Sequence, residues 1–348
     1  MKFEAITIKD IAKALGLSTS TVSRALRGSY EISAETKKLV LEYAEKLNYR
    51  PNPIALSLKE KRSRSIGIVV CEIANNFFSQ VINGIESVAY KKGYYVIISQ
   101  SHESYERELA NAQYLASRSV DGLLVSLSTE TTDLSHLYKL HDKGLPIVFF
   151  DRVTEEMQTH KVIANNFNGA YQATRHLLES GFKRIAHVTI AAHLSITKER
   201  LAGYRAALSD NNIPYDETLV KYCKYGGLIY GETEQAVDDL LSLQPRADAI
   251  VAASDKLSTG ILTALSKRDI KVPEQMGIVG FTNSLMADLF HPPLSTVRQP
   301  AYEMGQAAME MLISIIEAKH PVTRFETKIM NTELTIRASS VKEPWNQA

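Results

Sequence analysis

Apolar residues recur along this chain in two different rhythms. Up to about residue 50 they come in short runs at helical spacing. Ile8, Ile11, Ala12, Leu15, Leu17, Val22 and Leu26 form one set, and Leu39, Val40, Tyr43, Ala44 and Leu47 another. Polar residues punctuate the runs. Thr7, with Asp10 three residues on, reads as a capping box opening a helix to about Ala14. Gly16 takes the sharp turn that follows, a position glycine fills at least steric cost. Ser18 then caps a second helix carrying Thr21, Val22, Ser23 and Arg24, and Ser33 caps a third. The pattern predicts a small all-α unit containing a helix–turn–helix.

From Ser65 onward the rhythm changes to continuous apolar strands alternating with amphipathic helices. Ile66–Val70, Tyr94–Ile98, Gly122–Val125 and Pro146–Phe150 read as strands, separated by helices over 78–92 and 106–118. A second set starts near Asn166, with helices over 168–180, 198–211, 232–243 and 256–267. Its strands are Ile185–Thr189, a stretch near 219–223, Ala249–Ala252 and Gly277–Gly280. Strands apolar on both faces between helices predict parallel sheets covered on both sides. Two such sets in succession predict two similar lobes with a cleft between them, and ligands of open α/β sheets bind beyond the carboxyl ends of the strands.

Charge divides the chain at the same place. The whole of its 348 residues carries a formal charge of only +1. Residues 1–64 hold 13 basic and 7 acidic side chains, a balance of +6, while the remainder holds 27 basic and 32 acidic, a balance of −5. A basic head on an acidic body is the electrostatic footprint of a phosphate-binding unit joined to one that does not bind nucleic acid. The face of the second helix left over from the core is Thr19, Ser20, Ser23 and Arg24, hydrogen-bonding types near a helix N-terminus, where a recognition helix meets base edges. A protein-docking three-helix module is the alternative for the same residues.

The positions just after the predicted strands form a second set. They are Asn75, Asn76, Phe77 and Phe78; Asp151 and Arg152; and Ser254 and Asp255, with Arg200 at a helix start. Carboxylate, amide and guanidinium groups bind hydroxyls bidentately, and flat rings cover a sugar's C–H face. Singly, Asp255 also suits a helix cap, Arg200 a surface charge, and Phe77 and Phe78 the core. No nucleophile elbow, phosphate loop or dinucleotide fingerprint occurs, and the nine histidines lack metal-ligand spacing. Neither catalysis, a cofactor nor a metal is expected. His187 lies within an apolar strand and reads as a core or cleft residue. The two cysteines, Cys71 and Cys223, lack a metal or redox motif, and the first 25 residues lack a signal-peptide pattern. No apolar run reaches membrane-spanning length. A reduced, cytoplasmic setting is the expectation.

Together these residues resemble the LacI/GalR family of bacterial transcriptional regulators, to about Arg337. The resemblance rests on Thr7-Ile-Lys-Asp-Ile-Ala12, Ser18-x-x-Thr-Val-Ser-Arg24, Leu47-x-Tyr-x-Pro-Asn52, Phe150-Asp-Arg152 and Asn165-Asn-x-x-Gly-Ala170. Glu199-Arg-Leu-x-Gly-Tyr204, Ser254-Asp255, Val279-Gly-Phe281 and Pro293-Leu-Ser-Thr-Val-x-Gln-Pro300 continue it. It implies an all-α helix–turn–helix head (1–50) and a hinge helix (51–62). These join an α/β two-lobed, periplasmic-binding-protein-like body with parallel sheets (63–340), followed by a tail (341–348). One lobe would be 63–163 plus 292–324, the other 164–291 plus 325–340. By the same resemblance the protein is a homodimeric repressor on double-stranded, pseudo-palindromic operator DNA. Thr19, Ser20 and Arg24 map onto base readers, and Ser18, Thr21, Ser23 and Tyr49 onto phosphate contacts. Asn52 follows, then Ala55 and Leu58 of a hinge that enters the minor groove. A small-molecule effector, a sugar or sugar derivative, would meet Asn76, Phe77, Asp151, Arg152, Phe167, Arg200, Asp255, Phe281 and Gln299. A partner protein, or a non-sugar ligand such as a purine, is the alternative regulator. Ile190-Ala-Ala-His193 and Thr282-Asn283 depart from the family's usual Gly-Pro and Asp on the cleft rim. The tail lacks leucine heptads, so a dimer rather than a tetramer is expected.

Overall fold

The computed structural model describes residues 6–49 and 62–342, and the chain divides into two units at Arg64/Ser65. The hinge readings for Asn52, Ala55 and Leu58 lie outside the described residues. In the first unit α1 (Ile8–Leu15), α2 (Thr19–Leu26) and α3 (Ala34–Lys46) bury Ile11, Ala12, Val22, Ala25, Val40 and Ala44 against one another. Each predicted start is present. The Thr7 amide and hydroxyl donate to the Asp10 carboxylate at 2.8 and 2.7 Å, and Ser18 and Ser33 accept from the amides of Thr21 and Thr36. Gly16 stops α1 in the left-handed region at φ 64°.

The second unit opens with β1 (Ser65–Val70), α4 (Asn76–Lys92), β2 (Tyr95–Gln100), α5 (Tyr105–Ser117), β3 (Gly122–Val125), α6 (Ser135–His141), β4 (Ile147–Phe150) and β5 (Lys161–Ala164). It continues with α7 (Asn166–Glu179), β6 (Ile185–Thr189), α8 (Ser195–Asp210), β7 (Val220–Tyr222), α9 (Tyr230–Ser242), β8 (Ala249–Ala252), α10 (Asp255–Ser266), β9 (Gly277–Phe281) and β10 (Ser295–Arg298). The last elements are α11 (Ala301–Ile316), β11 (Thr327–Met330) and β12 (Glu333–Thr335). They build two six-stranded sheets, ordered β11-β5-β4-β3-β1-β2 and β12-β10-β9-β8-β6-β7. Every pairing is parallel except that of β12 with β10. Alternate residues of one strand serve opposite cores: Ile68 and Val70 pack with α4 and α11, while Val69 packs with α5 and α6. In the second lobe Ala186 and Val188 meet α9 and α10, and Ile185 meets α7 and α8.

The chain crosses between lobes three times, and the second and third crossings come later than residues 292 and 325. Ser295–Arg298 still pairs in the second sheet, so the crossing falls at Gln299–Pro300, and α11 then packs on the first lobe. Thr327–Met330 extends the first sheet beside β5, and only after Asn331 and Thr332 does the chain return as β12. Such short edge strands carry too few alternations for their sheet to be read from pattern alone. Tyr94 is another displacement. Gly93, at φ 72°, ends α4 and the Tyr94 amide closes back on the Ala89 carbonyl, so β2 begins one residue later.

Helix pairs in both lobes meet through glycine. A Cβ at Gly84 would overlap the Tyr302 carbonyl oxygen, one at Gly305 that of Val81, and one at Gly203 that of Phe167. The backbones of α4 and α11, and of α7 and α8, therefore touch directly. Gly84→Ala or Gly305→Ala must push these helices apart, at a cost of about 1–3 kcal/mol or more for overpacking. Gly231, in the first turn of α9, has open space at its Cβ. Gly231→Ala is expected to be neutral or stabilising, because alanine is the better helix former. Urea unfolding of the three variants measures the contrast.

His187 is wholly buried in β6, its ring stacked on Tyr204 at 5.4 Å. Burial, and then the nearby Arg200 charge, hold its pKa down at about 3. A base depressed in the folded state stays neutral while the unfolded chain protonates near 6.5, so stability falls as pH drops from about 6.5 towards 3. The slope reaches about 1.4 kcal/mol per pH unit for one such group. His187→Phe keeps the stack and removes the titration. Its loss of stability between pH 7 and pH 5, measured by denaturant unfolding, should be smaller than that of the parent chain by about 1–2 kcal/mol.

Candidate functional site

In the head, Thr19 and Ser20 stand exposed in the first turn of α2, with Arg24 one turn further on. The Ser18 hydroxyl accepts the Thr21 amide at 3.0 Å and shares hydrogen bonds with the Ser20 and Thr21 hydroxyls. Ser23 accepts from Arg27, and Tyr49 packs half-buried on the three-helix core. Arg24 is paired at 2.8 Å with Glu31, both largely exposed, so a competing ligand meets this guanidinium already engaged. An exposed pair of this kind is worth only about 0–1 kcal/mol.

In the body, the strand ends of the two lobes converge on a cluster of buried charges. Asp151, held at φ 58°, and Arg152 directly follow β4, and both are buried. Arg152 forks onto Glu103, Nη1 donating to Oε2 at 2.6 Å and Nη2 to Oε1 at 3.0 Å; Nη1 also reaches the Leu127 carbonyl and the Cys71 sulfur. Burial pushes the Glu103 carboxyl up, but the Arg152 charge, its hydrogen bonds and the Thr129 amide outweigh it and leave the pKa below the usual range. At Asp151 burial wins instead. Burial raises its pKa, with Arg152 and Arg200 opposing.

Across the cleft, Arg200 lies buried in α8 over the face of Phe281, 4.2 Å from its centroid. Its Nε donates to Asn166 Oδ1 at 2.8 Å, its Nη1 to the Ala253 carbonyl and its Nη2 to Gln299 Oε1 at 3.0 Å. Burial lowers its pKa to about 10, so it remains a cation at neutral pH. Asp255, first residue of α10, accepts from the Thr282 hydroxyl, the Asn283 amide at 3.2 Å and, from the opposite lobe, the Phe77 amide at 3.4 Å. Its pKa too is raised by burial, against these hydrogen bonds.

The lobes meet directly through further polar contacts. Asn283 bonds Gln80 and both the amide and carbonyl of Gln299, Lys256 pairs with Glu72 at 2.9 Å, and Ser195 Oγ accepts the Val153 amide. Asp151, Arg152, Arg200, Asp255, Phe281 and Gln299 are thus brought together at the strand ends. Phe77 belongs there through its amide, while its ring packs edge-on against Phe78 in the first lobe's core. Asn76 is exposed at the start of α4, which the neighbouring Asn75 caps. Phe167 is also exposed, its ring stacked along α7 on Tyr171 rather than on Arg200. Sequence reasoning did not single out Glu103, Asn166 or Gln80, and treated Asn283 only as a departure. Asn165-Asn166 stood in a quoted motif, whereas Glu103 carried no signal, because its partner is 49 residues away. Among the described residues no group of three or more metal-ligating side chains comes together, and no helix is long and apolar enough to cross a membrane.

Comparison with known proteins places both units. Residues 7–52 match the model for bacterial regulatory proteins of the lacI family, and residues 174–340 that for a periplasmic binding protein-like domain. An HTH-type transcriptional repressor, PurR, of Vibrio campbellii is 33% identical over 332 residues, spanning 95% of this chain and 97% of the relative. A solved structure of a transcriptional regulator CelR–cellobiose complex is 30% identical with a TM-score of 0.71, over 96% of this chain and 99% of that one. The lac repressor dimer bound to operator and the anti-inducer ONPF, at 23% identity, shares the fold with a TM-score of 0.80, over 97% of this chain and all of that one.

Proposed function

The chain belongs to the lacI family of bacterial regulatory proteins, and on that premise we propose that it is a homodimeric repressor whose operator binding is set by a sugar held between its two lobes. As a member of that family it is a transcriptional repressor and not an enzyme. The observation that carries the effector reading is the meeting of Asp151, Arg200 and Asp255 at the strand ends of both sheets, with Phe281 beneath Arg200. Buried carboxylates that can accept from hydroxyls, an Arg152 N–H without a partner among the described residues, and an aromatic ring at the strand ends suit a polyhydroxylated ligand. The cellobiose bound in the related CelR structure favours the same class. In this reading Arg152 supports Asp151, Gln299 and Asn166 hold Arg200, and Asn76, Phe77 and Phe167 line the approach.

Homodimerisation is favoured by β2, an edge strand that leaves Tyr95, Ile97 and Ile98 exposed, with Tyr90 of α4 exposed nearby in sequence. A long apolar edge invites a covering surface, and a second copy supplies one of the same chemistry. In the head, Thr19, Ser20 and Arg24 read bases, and Ser18, Thr21, Ser23 and Tyr49 position the phosphates. Asn52, Ala55 and Leu58 complete the DNA contacts proposed on the family resemblance. Ligand binding acts by differential affinity for two lobe arrangements, which changes the affinity for DNA by the same coupling.

Selection of bound duplexes from a random pool, with and without a panel of neutral mono- and disaccharides and purine bases, is the primary test. It yields a palindrome whose recovery a sugar changes; recovery that responds to a purine base alone rejects the sugar reading. On the selected operator Arg24→Ala is expected to cost about 1–3 kcal/mol and relax preference at one base pair. Equal loss on random DNA rejects the base-reading role. Glu31→Gln frees Arg24 and removes a negative charge, so operator affinity should rise a fewfold in a gel shift at low salt. Arg200→Ala and Asp255→Ala should each retain operator binding and lose the sugar response; a normal response in both rejects the cleft assignment.

A further inference from the structure

Both arginines of the cleft have their forks filled by the protein itself. Arg200 gives Nε, Nη1 and Nη2 to three neutral oxygens, as described above. Arg152 gives both terminal nitrogens to one carboxylate, that of Glu103, which is as deeply buried as the arginine. Glu103 Oε2 also accepts the Thr129 amide at 2.9 Å. The carboxylate is held there by its backbone: His102 and Glu103 lie consecutively in the left-handed region, at φ 49° and 64°, just after β2. The His102 amide bonds the Cys71 carbonyl at the end of β1, and the Glu130 amide bonds the Glu103 carbonyl. Non-glycine residues are strained in this region and persist there where the surroundings over-determine them.

Glu103 also faces the second lobe. A Cβ built on Gly226 would come within 3.9 Å of Glu103 Oε1, and the Gly226 carbonyl is bonded by Ser254, next to Asp255. Around this carboxylate stand Arg152, Asp151 and Cys71, with Arg200 and His193 beyond Arg152. Arg152 Nε remains a buried donor without a partner among the described residues. A guanidinium recognises phosphate or carboxylate through two parallel N–H groups. Here that pair is occupied, and what is left is a single N–H, which matches a hydroxyl or carbonyl oxygen.

We propose that Glu103 is a specificity-determining residue of the cleft: it occupies the Arg152 fork as an internal anion, so the site accepts neutral ligands and rejects phosphorylated or carboxylated ones. The inference rests on the effector reading of the cleft. An anionic ligand must either displace a buried carboxylate or add a second negative charge beside it, and unpaired like charges at low dielectric repel strongly.

The test compares the full chain with Glu103→Gln, Glu103→Asp and the double variant Glu103→Gln/Arg152→Gln, by isothermal titration. The probes are glucose, galactose, glucuronate, galacturonate, glucose 6-phosphate and inorganic phosphate. The parent chain and Glu103→Asp, which keeps the charge, should bind none of the anions. Glu103→Gln should gain at least tenfold in affinity for one or more of them, and the double variant should lose that gain. Binding of any anionic probe by the parent chain as tight as its neutral counterpart overturns the proposal, whether or not the variants fold. So does the absence of any gain in a Glu103→Gln chain whose circular dichroism and urea midpoint match the parent. An anion that binds Glu103→Gln but leaves its operator affinity unchanged upholds the selectivity and rejects the effector reading. A sugar response lost in Arg200→Ala, with no gain in Glu103→Gln, does the reverse.

Discussion

One guanidinium ties two of the segments by which the chain passes between the lobes to the end of a central strand. Arg200 bonds Asn166, at the first crossing between lobes, Gln299, at the second, and the carbonyl of Ala253, at the end of β8. No carboxylate touches it directly in these bonds. Burying a cation on neutral acceptors alone costs roughly several kcal/mol, and the depressed pKa of Arg200 records that cost. What makes it tolerable is the ring of Phe281 beneath it and the field of Asp151, Glu199 and Asp255 around it. The dependence is mutual. Asp151 and Asp255 are themselves desolvated carboxyls whose charge the arginines favour. The cleft is therefore a set of charges none of which is comfortable without the others.

The rest of the body holds those charges in place with much stiffer material. Within each lobe, helix backbones touch at Gly84, Gly305 and Gly203, and every central strand is apolar on both faces. Close packing of this kind transmits displacement rather than absorbing it. Between lobes the chain passes only through short segments at Asn165, Gln299–Pro300 and Asn331–Thr332. Two rigid bodies on three thin connections are built for hinge or shear motion. The hydrogen bonds of Asn166 and Gln299 to Arg200 place the charge cluster beside two of those connections.

Much of this was legible in the sequence because it is local. Thr7, Ser18 and Ser33 cap helices since their hydroxyls or a partner carboxylate reach amides within three residues, and the strands announce themselves by unbroken apolar runs. The strand-end rule led to Asp151, Arg152 and Asp255 without any knowledge of their partners. What could not be read is what depends on tertiary pairing. Nothing in Ser101-His-Glu-Ser104 says that two left-handed residues will lift a carboxylate onto an arginine beyond β4. Likewise β11 and β12 are alike in length and polarity, and only their neighbours decide that one joins each sheet. Phe167, which the family motif placed near the ligand, turns along its own helix onto Tyr171.

The contacts between the lobes bear on the proposed regulation through their kind. Among the described residues they include polar ones: Phe77 amide to Asp255, Val153 amide to Ser195, Gln80 to Asn283, and Lys256 to Glu72. A typical hydrogen bond contributes about 0.5–1.5 kcal/mol net, and a partly exposed ion pair about 0–1. Their sum is a few kcal/mol, set against the desolvation of buried charge that opening would relieve. An equilibrium balanced on that scale can be moved by one small ligand, because a shift from 1:99 to 99:1 takes about 5.5 kcal/mol of differential affinity. A large apolar seam between the lobes would lock them beyond the reach of any such ligand. The desolvated Asp151 and Asp255 supply the opposing drive: each gains hydration when the lobes part and gains partners when a ligand fills the space. In the proposed effector reading, the desolvation of the charge cluster is what would make the body responsive, and the glycine-packed lobes are what would make that response a movement of whole lobes.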